Sequence, residues 1–286
     1  MATIIDGKKI SAEIRAELAQ QTKEFSETFG IVPGLAVIIV GEDPASRVYV
    51  RNKHKACAEV GFYSEVHELP ADASEEQVID LIDQLNESDS IHGILVQLPL
   101  PKALDEQKIL LRIKPEKDVD AFHPYNVGKI MIGDYNVLPC TPAGVMQLLY
   151  RSGVCVAGKH CVVIGRSNIV GKPMSMLLLH DHGTVTICHS RTPDLRAQTL
   201  QADILVSAVG RAGFVTADMV KPGAVVIDVG INRNAEGKLC GDVDFASVSE
   251  VASMITPVPG GVGPMTITML LQNTLTAANA VLTKQS

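Results

Sequence analysis

No stretch of this 286-residue chain approaches the roughly 20 consecutive apolar side chains that a bilayer-spanning helix needs. A helical membrane span is therefore excluded. Positive charge is also scarce: 25 Lys and Arg stand against 32 Asp and Glu, for a formal net charge of −7. That balance excludes a general binder of nucleic acid or of anionic membrane surfaces. The six cysteines, Cys57, Cys140, Cys155, Cys161, Cys188 and Cys240, include no C-x-x-C pair, and they read as reduced core thiols of a cytosolic protein. Residues 1–7 hold neither a basic region nor a long apolar stretch, so no signal peptide is expected and the expected location is cytoplasmic. His180 and His182 flank Asp181 and read as polar residues at a helix end, so no metal site is expected. Internal repeats and low-complexity tracts are absent too. What is abundant is apolar: 46% of residues are hydrophobic, enough for a sizeable core in one large or two medium domains.

Apolar, β-rich runs alternate with helical periodicity along most of the chain. Strands are expected at 35–40, 63–69, 93–96, 160–164, 184–188, 204–208 and 224–229. Runs apolar on both faces suit parallel strands covered by helices, hence an α/β fold with a mostly parallel sheet. A helix over 7–29 is opened by Asp6 as N-cap and carries Ile10, Ile14 and Leu18 on one stripe. A second covers 45–60. Ser74-Glu75-Glu76-Gln77 has capping-box spacing for a third, and the last long helix spans 264–282. A domain boundary is expected near 140–157, where Thr141-Pro142-Ala143-Gly144 starts a helix and Gly153 to Gly158 lead into a strand.

That strand ends at the most informative motif, Val162-Val163-Ile164-Gly165-Arg166-Ser167-Asn168-Ile169-Val170-Gly171-Lys172-Pro173. Strand, polar glycine turn and helix follow in the order of a dinucleotide-binding βαβ unit, whose helix N-terminus receives a pyrophosphate. The motif is not a full G-x-G-x-x-G, because Ser167 and Val170 hold the second and third glycine positions. NAD-binding units carry an acid about 20 residues further on, for the ribose 2′-hydroxyl. Here the second strand ends in Ser190 and Arg191, and Arg166 lies in the turn itself. Arginine and hydroxyl groups suit a 2′-phosphate, so NADP is favoured over NAD. Gly210 ends the strand run before it, and Gly230, followed by Ile231, ends the next. Both glycines would let backbone approach the nicotinamide half of the cofactor.

A second set of polar residues lies in the first half. Ser46, Tyr49 and Lys53 fall on one helix face. Gln97 ends a strand before prolines, and Asp118 and Asp120 sit on a loop before another proline. Polar groups at strand ends around one crevice are where catalysis is usually built.

Five segments together resemble the bifunctional methylenetetrahydrofolate dehydrogenase/methenyltetrahydrofolate cyclohydrolase family. They are Tyr49-Val50-Arg51-Asn52-Lys53, Gln97-Leu98-Pro99-Leu100-Pro101, Lys117-Asp118-Val119-Asp120, the motif from Gly165 to Pro173, and Pro259-Gly260-Gly261-Val262-Gly263-Pro264-Met265-Thr266. The resemblance runs through the whole chain in order. One departure is Ala121, where the family pattern has glycine. The resemblance implies an N-terminal α/β catalytic domain (1–140 plus a C-terminal helix at about 264–286), a Rossmann-like NADP-binding domain (141–263), an active-site cleft between them, and a homodimer. It implies NADP-dependent oxidation of 5,10-methylenetetrahydrofolate, then hydrolysis of the methenyl product to 10-formyltetrahydrofolate. Lys53 would be the general acid/base, Tyr49 would pack on the folate, Gln97 would hydrogen-bond the lysine, and Asp120 would hold the pterin. Gly165, Arg166, Ser167, Ser190, Gly210, Gly230 and Ile231 would contact NADP, and Pro259, Gly260 and Gly261 the substrate. The rival readings are a two-domain NADP oxidoreductase acting on a carbonyl acid, a Schiff-base enzyme using Lys53, and a non-catalytic NADP sensor.

Overall fold

The computed structural model describes residues 1–283. Its strands are β1 (Thr3–Ile4), β2 (Gly34–Val40), β3 (Tyr63–Leu69), β4 (Gly93–Val96), β5 (His160–Ile164), β6 (Thr184–Cys188), β7 (Ile204–Ser207), β8 (Val225–Asp228), β9 (Asn232–Arg233), β10 (Leu239–Cys240) and β11 (Met254–Ile255). Its helices are α1 (Gly7–Phe29), α2 (Pro44–Glu59), α3 (Glu75–Glu87), α4 (Glu106–Leu110), α5 (Pro124–Ile132), α6 (Cys140–Arg151), α7 (Gly171–His180), α8 (Leu195–Thr199), α9 (Phe245–Val248) and α10 (Val262–Thr283). Among the described residues no helix is long and apolar enough to cross a membrane.

The chain divides into two compact units. One comprises residues 1–12 and 141–266, the other residues 13–140 and 267–286. The first domain was expected to begin at residue 1. The first twelve residues instead lie with the later half, because Thr3 and Ile4 form a parallel edge strand on Met254 and Ile255. The unit built on residues 141–266 holds a six-stranded sheet of order β1-β11-β8-β7-β5-β6, parallel at every pairing. The other holds a parallel three-stranded sheet of order β3-β2-β4.

The alternating pattern forms these elements for identifiable reasons. The β2 run is buried along its whole length, as a central parallel strand requires. Asp6 Oδ1 accepts from Lys9 N at 3.0 Å to open α1. The capping box of α3 closes both ways, with Gln77 N on Ser74 Oγ at 3.2 Å and Ser74 N on Gln77 Oε1 at 2.8 Å. Separate cores form on Val162, Ile164, Leu205, Val226 and Ile255 in one unit, and on Ala36, Ile38, Val78, Ile82, Ile94 and Val96 in the other. Each fully buried aliphatic side chain contributes roughly 1.5–3 kcal/mol. The cysteine expectation needs correcting. All six are free, but only Cys57, Cys140, Cys161 and Cys188 are buried, while Cys155 is exposed and Cys240 half-buried.

Candidate active site

Helix α2 begins with Asp43 as N-cap, its Oδ2 accepting from Ser46 N at 2.7 Å, and with Pro44 in the first turn. Its buried stripe runs Ser46, Val50, Lys53, Ala56, Cys57 and Val60. A lysine thus occupies a position that helical periodicity assigns to the core. Its side chain is buried at 8% exposure. Burial pushes the amine below the ordinary lysine value, and the Asp120 charge opposes that shift. Tyr49, one turn earlier, is exposed. The three residues expected on one face therefore divide into two buried groups and one open ring.

Strand β4 delivers the partner. Gln97 continues the β4 ladder, its N–H donating to Ile38 O at 2.8 Å. Its Nε2 donates to Leu98 O at 2.7 Å, which turns Oε1 toward Lys53 Nζ at 3.0 Å. The amide is held by its own neighbour, so the amine meets an acceptor of fixed orientation.

Asp118 and Asp120 have different surroundings. Asp118 is buried and its Oδ2 accepts from His123 N at 2.8 Å and Asn126 Nδ2 at 3.0 Å. Burial raises its pKa, and those two donors oppose the rise. Asp120 is half-buried and sets its charge on Lys53 and on the thiol of Cys140. Cys140 is fully enclosed. Burial first, and Asp120 second, push its thiol well above the ordinary value, so it is no nucleophile. Sequence reasoning missed Asn273 on α10. Its Nδ2 donates to Val119 O at 2.8 Å and to Leu138 O at 2.7 Å, which clamps the backbone between the two aspartates to the segment just before Cys140. Ala121 adopts φ +56° and is buried. A side chain in the left-handed region costs on the order of 1–2 kcal/mol, which gives a physical reason for glycine in the family pattern at this position.

The six-stranded unit carries the nucleotide motif. β5 lies between β6 and β7, so the strand order reverses there, at the point where open parallel sheets bind ligands. Gly165 (φ +129°) ends β5, and a Cβ there would lie 2.4 Å from Ala208 O at the end of β7. Only glycine fits both the angle and the approach. The amides differ from expectation. Ser167 Oγ already accepts from Val170 N and Gly171 N, each at 3.2 Å, so the first amides of α7 are taken. Among the described residues no protein group accepts from the N–H groups of Arg166, Ser167, Asn168 or Ile169. The open donors therefore lie in the turn itself, where they form an anion-seeking arc. Arg166, Ser167 and Ser190 are all exposed beside it, and the chain after β6 carries no acid until Asp194, the N-cap of α8. This donor set fits a dinucleotide carrying a 2′-phosphate.

Gly210 is exposed, with open space where a side chain would stand, and Ile231 is exposed. Gly230 is buried, and a Cβ there would lie 2.2 Å from Asp242 Oδ1. Its glycine makes room for a carboxylate. In the loop before α10, Pro259 is exposed while Gly260 and Gly261 are buried against Gly7, and Lys8 N donates to Gly260 O at 3.1 Å. Lys53, Gln97 and Asp120 are thus gathered within one unit, and the Pro259–Gly261 loop belongs to the other. Among the described residues no group of three or more His, Cys, Asp or Glu is arranged to hold a metal.

Comparison with known proteins agrees with both halves of this picture. The sequence profile of the tetrahydrofolate dehydrogenase/cyclohydrolase catalytic domain matches residues 5–120, and that of the NAD(P)-binding domain matches residues 139–282. The bifunctional protein FolD of Moorella thermoacetica is 62% identical over 277 residues, 97% of this chain and 99% of that one. A solved structure of the bifunctional enzyme FolD from Campylobacter jejuni is 50% identical, with a TM-score of 0.95 over 98% of this chain and 100% of its own. The Trypanosoma brucei FolD, solved with NADP cofactor and an inhibitor, is 42% identical with a TM-score of 0.94 over 98% of both chains. A buried lysine–glutamine pair, a glycine turn with open amides and these full-length likenesses lead to one statement: the chain belongs to the tetrahydrofolate dehydrogenase/cyclohydrolase family.

Proposed function

We propose that the Lys53 cluster is the folate site of a bifunctional enzyme and that its residues divide the work. The chain oxidises 5,10-methylenetetrahydrofolate to the 5,10-methenyl cation with NADP+, and hydrolyses that cation to 10-formyltetrahydrofolate. The observation that carries the assignment is the buried amine of Lys53, lowered in pKa and held 3.0 Å from Gln97 Oε1. Water adding to the methenyl carbon loses a proton, and a lysine poised toward its neutral form accepts it. The same proton then reaches the ring nitrogen that departs as the ring opens. The hydride step asks the lysine for positioning only. Tyr49 lays its exposed ring on the pterin, and Asp120 receives the pterin's amino-pyrimidine N–H groups. A carbonyl-acid oxidoreductase has no need of this lysine–glutamine pair. Incubation with methylenetetrahydrofolate and NADP+ tests the reading directly: NADPH and 10-formyltetrahydrofolate should both form, and failure of either product to appear would overturn it.

NADP+ supplies the hydride acceptor. Arg166 and Ser190 would hold its 2′-phosphate, Gly165 and Ser167 belong to the turn that would take the pyrophosphate, and Gly210 and Ile231 would meet the nicotinamide half, with the buried Gly230 shaping the chain before Ile231. NADP+ is expected to outperform NAD+, and Arg166→Ala to weaken that preference by roughly 1.5–3 kcal/mol. Steady-state kinetics with both nucleotides decides this, since equal use of the two by the unmodified protein would overturn it.

Gln97 tunes the lysine in this scheme. In Gln97→Glu a carboxylate would replace the neutral acceptor, raise the amine pKa and hold it protonated. The pH optimum of hydration should move upward and the rate at neutral pH should fall. An unchanged pH profile would separate Gln97 from the proton path. The family resemblance also supports a homodimer, which light scattering would test. The six free thiols accord with a cytoplasmic location, where thiols stay reduced.

A further inference from the structure

Outside the folate cluster a heavily bonded side chain is that of Asp242, which follows β10 and is completely buried. Three consecutive backbone N–H groups converge on it. Val209 N and Gly210 N reach Oδ2 at 2.7 and 3.2 Å, and Arg211 N reaches Oδ1 at 2.9 Å. Asn232 Nδ2 adds a bond to Oδ1 at 2.9 Å, and Ser207 Oγ a longer one to Oδ2 at 3.4 Å. Among the described residues no lysine, arginine or histidine forms an ion pair with it. Its charge is met by a nest of oriented N–H dipoles and two neutral side chains.

A second carboxylate locks the first. Asp228, the last residue of β8, accepts from the N–H groups of Gly230, Asp242 and Val243, each at 2.9 Å. The two acids are accommodated by glycines. A Cβ at Gly230 would lie 2.2 Å from Asp242 Oδ1, and a Cβ at Gly241 would lie 1.8 Å from Asp228 Oδ2. The ends of the adjacent strands β7 and β8 are therefore tied together through a pair of buried carboxylates. The chain leaving β7 also packs on the glycine turn, through Ala208 O against Gly165. A buried charge without a counter-ion is a poor device for stability alone. What it provides here is a fixed backbone path for residues 207–211 and 230–232, whose outward members are Gly210, Arg211 and Ile231.

We propose that Asp242 is a positioning residue for hydride transfer: its carboxylate gathers the amides of Val209, Gly210 and Arg211 and so sets the two strand-end loops that hold the nicotinamide half of NADP+. This rests on the assignment above of Gly210 and Ile231 to that half of the cofactor. It gives Asp242 no part in folate hydration or in binding the adenosine half.

The test uses the full chain and four readouts: NADP+-dependent dehydrogenase kcat, cyclohydrolase rate without nucleotide, affinity for adenosine 2′,5′-bisphosphate, and the thermal midpoint. Asp242→Asn keeps the volume but turns an NH2 group against N–H donors. Dehydrogenase kcat should fall about 10- to 100-fold, the scale of a misplaced reactant. Cyclohydrolase rate and adenosine 2′,5′-bisphosphate affinity should each stay within about twofold of the unmodified values, well inside that loss. Gly230→Ala attacks the same contact from the other side and should give the same signature, with the double variant no worse than the poorer single one. Should Asp242→Asn not fold, Asn232→Ala removes one donor to the same carboxylate and is read identically. Unchanged dehydrogenase kcat in a folded variant overturns the positioning role. A parallel fall in cyclohydrolase rate overturns it as well, by revealing a general structural defect. A matching loss of adenosine 2′,5′-bisphosphate affinity overturns it through the cofactor assignment, by moving these loops to the adenosine end.

Discussion

Lys53→Met is expected to lower methenyltetrahydrofolate hydration by roughly 10²-fold or more, the usual scale of general acid–base catalysis. Dehydrogenase activity should fall less, and methenyltetrahydrofolate should accumulate during turnover. The fold gives this variant an advantage as a test. Lys53 lies on the buried stripe of α2 beside Val50, Ala56 and Cys57. A methionine of similar length suits such a stripe, and it removes an amine that burial penalises. The thermal midpoint should therefore hold or rise, so a loss of hydration cannot be charged to unfolding. Equal losses in both activities would count against the assignment, as would an unaffected cyclohydrolase. Assaying the two steps separately, with methenyl absorbance followed in the coupled reaction, gives the answer.

Asp120→Ala should have the second large effect, and it should fall on substrate binding. The pterin's amino-pyrimidine edge offers adjacent N–H donors, and leaving them unpaired in a closed site costs about 2–4 kcal/mol. Folate affinity should drop accordingly, both activities should suffer, and NADP+ affinity should barely change. The variant should also move the hydration pH profile downward, because Asp120 is the charge that opposes the burial-driven fall of the Lys53 pKa. The control has to be chosen with the loop in mind. Asp118 is already engaged by His123 N and Asn126 Nδ2, so Asp118→Ala would unseat the loop, and Asp118→Asn is the fairer comparison. Its folate defect should be much smaller and its thermal midpoint lower. A larger folate defect at Asp118 than at Asp120 would show that the wrong carboxylate had been chosen.

Sequence pattern located what periodicity and local chemistry control. The runs at 93–96, 160–164 and 184–188 are strands at the expected residues, because apolar and β-branched runs announce themselves over four or more positions. The caps at Asp6 and Ser74 were legible for the same local reason. The strands β1, β9, β10 and β11 were not, since each has two residues and no period can be read from two. At the folate site, Ser46, Tyr49 and Lys53 could be placed on one face, but not sorted into buried and open. A sharper signal was present: the lysine interrupts an apolar stripe of Val50, Ala56, Cys57 and Val60. Asn273 and Asp242 were invisible. Their partners lie 135–154 and 10–35 residues away in the chain, so their roles exist only after folding. The glycine turn shows the limit from the other side. Its location was legible, yet Ser167 takes the helix amides, a detail of side-chain direction that no spacing rule contains.

The order in which the residues are made has a bearing on those distant partners. Thr3 pairs with Met254 and Ile4 with Ile255, so one edge of the six-stranded sheet is completed some 250 positions after its first residues are made. At a synthesis rate of roughly 5–20 residues per second, that strand waits on the order of 10–50 s for its neighbour. The three-stranded unit is completed later along the chain, because the clamp on Val119 and Leu138 comes from Asn273. During elongation, then, neither unit has all of its native pairings until Met254 and Asn273 respectively have been made. A chain stopped before residue 254 would leave β8 as an open sheet edge, a template for pairing with other chains. One stopped shortly before residue 273 would retain Lys53, Gln97 and Asp120 while lacking the side chain that clamps the backbone beside Asp120.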